Sequence, residues 1–220
     1  TMSEADITGA LIEDARLEGV SWLHATLSGA RFGPSSLRGA AFAGARFAGV
    51  SFAGLDLSGA SFESADLGGA GFQGARLAHT NLSHCRLAGA DFTGAHFEGT
   101  QLDGSDLAGA VLVEADLRSS TLSYATLSGA DLRGVKIKKQ TLPGLDLRAA
   151  KLGGASITKS FLDHLEATGV DFDGCTLSDC TFENGKLEGA NFTGVRASHA
   201  SFLHARLAGA TLRGMMADGA

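Results

Sequence analysis

From Met2 through Ile7, Ile12, Leu17 and Trp22 to Leu212, every fifth residue of this chain is apolar, and nearly all are large. The column has 44 members: 23 Leu, 12 Phe, 4 Ile, 3 Ala, one Met and one Trp. Twelve of the thirteen Phe stand in it, Phe161 being the exception, and no insertion or deletion breaks its register. A second column, two residues before each of these positions, is Ala in 24 of 44 places. A third, two residues after, is Gly in 26 of 44. A strict internal repeat of this kind decides the architecture before any other feature is weighed.

A helix cannot use a five-residue period. Five residues turn a helix by about 500°, so the apolar side chains would sweep around every face. Strand geometry can use it, because residues two apart point to the same side. Ala and the following Leu or Phe then both point inward, and the residue between them points out. The next two residues turn the chain, and Gly serves there because it tolerates a positive φ. Repetition winds the chain into a coil whose stacked turns alternate small and large side chains inside, as a dense interior requires. Phe32, Phe52, Phe72, Phe92, Leu107 and Leu127 are expected in that core.

Composition excludes several function classes. The net charge of −6 and pI near 5.6 argue against non-specific nucleic-acid binding. No apolar run reaches the 18 residues of a membrane span, and no basic stretch followed by an apolar core marks a signal peptide. The expected location is cytoplasmic.

Stretches such as Ala65-Asp66-Leu67, Ala90-Asp91-Phe92, Ala115-Asp116-Leu117, Ala130-Asp131-Leu132 and Ala190-Asn191-Phe192 carry the motif A(D/N)LXX. With it, the whole chain resembles the pentapeptide-repeat proteins. The resemblance implies an all-β fold, a right-handed quadrilateral parallel β-helix with four pentads per coil. At twenty residues per coil, residues 1–220 make one solenoid domain of about 11 coils. Two functions are implied. One is a non-enzymatic rigid module for protein–protein interaction. The other is DNA mimicry, in which some bacterial members bind DNA gyrase or another topoisomerase and protect it from inhibitors.

Four pentads per coil sort the outward residues onto four faces. The face over Trp22, Phe42, Phe62 and Leu82 holds Glu4, Glu63, Asp103, Asp163 and Glu183 and no Lys or Arg. The face over Leu17, Leu37, Leu57 and Leu77 holds nine basic residues against six acidic. The most deviant stretch, 135–143, begins on the latter. There Lys139 replaces the corner Gly, and Gln140 takes an inward Ala place, where a bulge would give it hydrogen-bond partners. Arg118, Lys136, Lys138, Lys139 and Lys159 gather on this side as the candidate partner-binding residues.

No other cluster carries chemistry. Cys85, Cys175 and Cys180 stand in the small inward column and read as buried hydrophobes. The seven His are scattered along the rod and offer no converging metal ligands. A filled solenoid offers no pocket, so no catalytic residue, metal or cofactor is expected, and no direct binding of nucleic acid or membrane. Ala167, Ala197 and Ala217 occupy large-residue places, which suggests looser filling near the C-terminal end. Uncapped solenoid ends expose strand edges, so end-to-end association or a homodimer through a terminus is expected.

The register makes a direct prediction. Leu107→Lys places an unpaired charge in the interior and should abolish the cooperative melt followed by circular dichroism, whereas Lys138→Glu should leave it intact. A wild-type melt for Leu107→Lys would disprove the inward assignment.

Overall fold

The computed structural model describes residues 2–220. It is all-β, and the winding is visible in the backbone register. Bridges join residue i to residue i+20 in parallel, as in Asp66 with Arg86 or Gly71 with Asp91, and recur from Asp6 to Met216. Twenty residues therefore close one coil. Only four segments pair over more than one rung: β1 (Leu11–Ile12) with β2 (Arg31–Phe32), and β3 (Lys136–Lys138) with β4 (Ser156–Thr158).

Most pentads end in a turn closed by a hydrogen bond from the small inward residue back to the large one. Ala75 N–H, for example, donates to Phe72 O at 2.9 Å. The third residue of that turn needs a positive φ, which is the type II requirement and the reason Gly fills the corner column. His, Asn, Asp, Glu and Lys take the same conformation at other corners, among them His84 at 58° and Lys139 at 58°. Pro34 and Ser119 are the described corner residues outside this pattern.

Inside, the coil repeat stacks identical side chains. Phe32, Phe52, Phe72 and Phe92 form a column with ring centroids 5.5, 5.2 and 4.8 Å apart. Phe172 on Phe192 and Phe182 on Phe202 repeat it at 4.9 Å. Phe52, Phe72, Phe92, Leu107 and Leu127 are buried. Phe32 differs from the expectation, being only partly buried against the core. Below it lies Ile12 of the first coil, itself partly buried, beside the exposed Leu11. Ala167 and Ala197 are fully buried, so the small residues leave no opening to solvent at those places.

Most polar side chains in the small inward column find a carbonyl. Thr80, Cys85, Thr100, Ser105, Cys175 and Cys180 each donate to the carbonyl 23 residues earlier, such as Thr80 Oγ1 to Leu57 O at 2.9 Å. Burial pushes the three thiols up, Cys85 to about 12 and Cys175 and Cys180 to about 11, so they stay protonated and unreactive near neutrality.

Outside, the tripeptide Asp-Leu-Arg recurs at Asp116, Asp131 and Asp146, and each time the Arg two places on clamps the carboxylate through two hydrogen bonds. The side-chain hydrogen bond from the guanidinium, helped by the backbone N–H of the same Arg, holds each Asp below its usual value. A depressed folded pKa stabilises above the unfolded value and is lost below it. The melting temperature should therefore fall as the pH drops below about 4. The Asp116→Asn, Asp131→Asn, Asp146→Asn triple variant should show a shallower fall in the same melts, modest because the pairs are solvent-exposed.

Candidate functional site

The ladder between coils is interrupted at one place on the Leu57 face. The bridge of His96 to Asp116 is missing while Arg76 to His96 and Asp116 to Lys136 are present. Gly94 N–H, Phe97 N–H and Asp116 N–H have no hydrogen-bond partner among the described residues. The carbonyls of Ala95, Val113 and Asp116, which would face them, accept no bond either. Gly99 N–H reaches Ser119 Oγ at 3.3 Å instead of a backbone carbonyl. Ser119 is also the corner that lacks the positive φ.

One aromatic side chain stands at this seam. Phe97 is the sole aromatic in its inward column, with Leu77 one coil before it and Leu117 one coil after. It sits 5.5 Å from Phe92 at a tilted 47°, whereas Phe72 and Phe92 stack at 6°. Phe47 also stands alone between Leu27 and Leu67, yet its bridges on both sides are intact, so a ring among Leu neighbours does not by itself part the coils. At Phe97 it coincides with the Ser119 corner, whose φ is not positive. Close by, the Ser120 hydroxyl is buried without a partner. By the 23-residue rule it would donate to Phe97 O, and that bond is absent.

The seam opens into a surface cleft of about 1490 Å³, spanning positions from Gly54 to Lys138. This corrects the expectation that a filled solenoid offers no pocket: the interior is filled, but the outer wall carries an open depression that runs across several coils and over the seam. Phe97, Ala95 and Ala115 form the floor, and Arg76, His96, Glu114, Arg118 and Lys138 stand among the lining residues.

The five candidate residues are only partly brought together. Arg118 and Lys138 line the cleft. Lys136 is beside Lys138 on β3, while Lys139 and Lys159 occupy successive corners on the far side of that face. Arg118 is committed to Asp116, with Nη2 at 2.6 Å from Oδ2, so little of its charge is open to a partner. Lys136, Lys138, Lys139 and Lys159 make no ion pair within 4.0 Å among the described residues and carry the positive charge of the patch. The stretch holds no bulge. Lys136 pairs with Ser156 and Lys138 with Thr158 in unbroken register. Gln140 finds its partners instead by donating from Nε2 to Ser120 O at 2.7 Å and from its N–H to Ser160 Oγ at 3.1 Å.

Sequence reasoning missed Phe97 and His96. The available signal was a single Phe in a column otherwise of Leu, Ile and Ala. Among the described residues no group of three or more His, Cys, Asp or Glu is arranged to hold a metal ion, and no helix is long and apolar enough to cross a membrane.

The geometry defines a four-sided β-solenoid whose outer surface, rather than its interior, is open to other molecules. A family model described as pentapeptide repeats in 8 copies matches residues 35–74, 70–109, 101–138, 146–184 and 177–214, and the chain belongs to that family. Solved relatives share the architecture. HetL, a pentapeptide repeat protein involved in heterocyst differentiation regulation in the cyanobacterium Nostoc, is 25% identical, with a TM-score of 0.53 over 98% of this chain and 88% of its own. A trypsin-treated form of QnrB1, a plasmid-mediated fluoroquinolone resistance protein, is 27% identical, with a TM-score of 0.51 over 83% of this chain and 91% of its own. A second trypsin-treated form reaches a TM-score of 0.62 at 24% identity. No curated protein sequence matches the chain.

The part the ring plays in the seam is testable. If it holds the coils apart, Phe97→Leu should let them close. Amide exchange at Gly94, Phe97 and Asp116 should slow, and the melting temperature should rise by roughly 2–4 °C for each kcal/mol regained. A lower melting temperature would mean that the ring supports the core rather than straining it.

Proposed function

We propose that the protein is a non-catalytic docking rod, one solenoid domain over residues 1–220, that holds a partner protein against its Leu57 face. The observation that carries this reading is the cleft beside the unpaired lysines. Lys136, Lys138, Lys139 and Lys159 favour an acidic partner surface and give it orientation. The cleft over Phe97 supplies the concavity and apolar floor that a flat solenoid face lacks.

A second reading is protection of a topoisomerase, supported by the likeness to QnrB1. Against it stands the sparse acidity: five carboxylates on the one face without cations, where duplex DNA carries a charge about every 1.7 Å.

One set of measurements separates them. Affinity capture is run with the wild type and with the Lys136→Glu, Lys138→Glu, Lys139→Glu variant, whose fold is checked by circular dichroism. In parallel, DNA gyrase supercoiling is assayed with and without a fluoroquinolone. The docking reading expects a stoichiometric partner that the variant loses, and no effect on gyrase. An unchanged set of captured proteins would refute it. Protection of gyrase that survives the lysine reversal would favour the second reading.

A further inference from the structure

The four faces differ in exposed apolar side chains as well as in charge. Seven large hydrophobic residues are exposed: Met2, Leu11, Tyr124, Phe161, Leu203, Leu212 and Met216. Five of them belong to the first and last coils, 1–20 and 201–220, where no further coil is described to cover them. Within the body of the rod only Tyr124, at 76%, and Phe161, at 55%, remain. Both lie on the Trp22 face or its corner, the face that carries no Lys or Arg.

Their surroundings are irregular as well. The bridges of Thr121 to Thr141 and of Thr126 to Asp146 are absent, although Thr141 to Phe161 and Asp146 to Glu166 are present. Between them lies a notch of about 140 Å³, lined by Tyr124, Leu142, Pro143 and Leu145 among others. Tyr124, Pro143 and Phe161 fall in three successive coils, so the i to i+20 register sets them as a diagonal across the face.

Carboxylates bracket this diagonal. The outward column containing Pro143 reads Asp103, Ser123, Pro143, Asp163 and Glu183, one residue per coil. Asp103 accepts hydrogen bonds from the Thr121 hydroxyl and from Ser123 N–H, the latter at 2.8 Å. Asp163 accepts from Thr181 Oγ1 at 2.6 Å and from Glu183 N–H at 3.1 Å. Neutral donors thus fix both carboxylates in place, and neither has an ion pair among the described residues.

We infer that the Trp22 face is a second docking surface, for a basic protein segment whose apolar side chain lies against Tyr124, Pro143 and Phe161 while flanking Arg or Lys side chains meet Asp103, Asp163 and Glu183. Charge complementarity selects this occupant. On the face itself an acidic protein or a nucleic acid would meet Asp103, Asp163 and Glu183, with Lys139 and Lys159 only at its bordering corner. An uncharged apolar segment would leave the carboxylates unused. A guanidinium also stacks on an exposed tyrosine ring and packs its methylenes against it. This surface adjoins the Leu57 face along the corner of Lys139 and Lys159, so a rod using both would hold an acidic and a basic partner side by side.

The test uses fluorescence polarisation at physiological ionic strength with three labelled peptides. One alternates Arg with Leu and Phe, one replaces its Arg by Glu, and one keeps the Arg but replaces Leu and Phe by Gly. Saturable binding of the first alone is expected. It should weaken by about tenfold or more in the Tyr124→Ala, Phe161→Ala variant, as aromatic anchors do, and also in Glu183→Lys. Lys138→Glu should leave it unchanged, which keeps the outcome independent of the Leu57-face reading. Failure of the first peptide to bind, or equal binding by the variant lacking both rings, overturns the inference. So does self-association in sedimentation that disappears on removing the rings, because the face would then meet a second copy.

Discussion

Main-chain hydrogen bonds between consecutive coils carry this structure. Phe72 N–H donates to Asp91 O one coil onward, and Gly71 N–H donates to Val50 O one coil back. Because the bonds join residues nineteen and twenty-one apart, they hold only if each coil spends the same number of residues on its circuit. The uninterrupted pentad provides that count. Stacked phenylalanines, the corner glycines and the 23-residue rule for Ser, Thr and Cys all follow from it: each places a group directly over its equivalent one coil away.

The same constraint explains why the informative places are where rungs are missing. A solenoid wall pairs nearly all its backbone groups internally, so an interruption leaves donors and acceptors facing space. At Phe97 the rung between His96 and Asp116 is missing, beneath the cleft that Lys138 also lines. At Tyr124 and Pro143 a second interruption leaves a notch under the exposed ring. Neither perturbs the filled interior, which runs past both: Leu77 and Leu117 are fully buried on either side of Phe97, and Leu122 and Leu142 beside the notch are buried too.

Charge is organised by the same geometry. An Asp before a large residue and an Arg after it point outward together, two places apart, so Asp116, Asp131 and Asp146 are each clamped by their own neighbour. Counting charges per face therefore overstates the positive field, since Arg118 is already neutralised. What stands out to a partner is the set of lysines without such a neighbour on one face, and carboxylates held by hydroxyls and amides on another.

The register, the all-β winding, the inward columns and the burial of Cys85, Cys175 and Cys180 could be read from the chain, because each depends on a local period repeated without a break. The basic patch was legible as composition. Its division was not, because whether Lys138 shares a cleft with Arg118 or a corner with Lys139 depends on which side of a coil each projects. The cleft at Phe97, the stranded hydroxyl of Ser120 and the convergence of Tyr124, Pro143 and Phe161 were decided by tertiary structure alone. They arise from the fit of side-chain volumes between coils twenty residues apart, and a period fixes which residues meet there but not whether they fit.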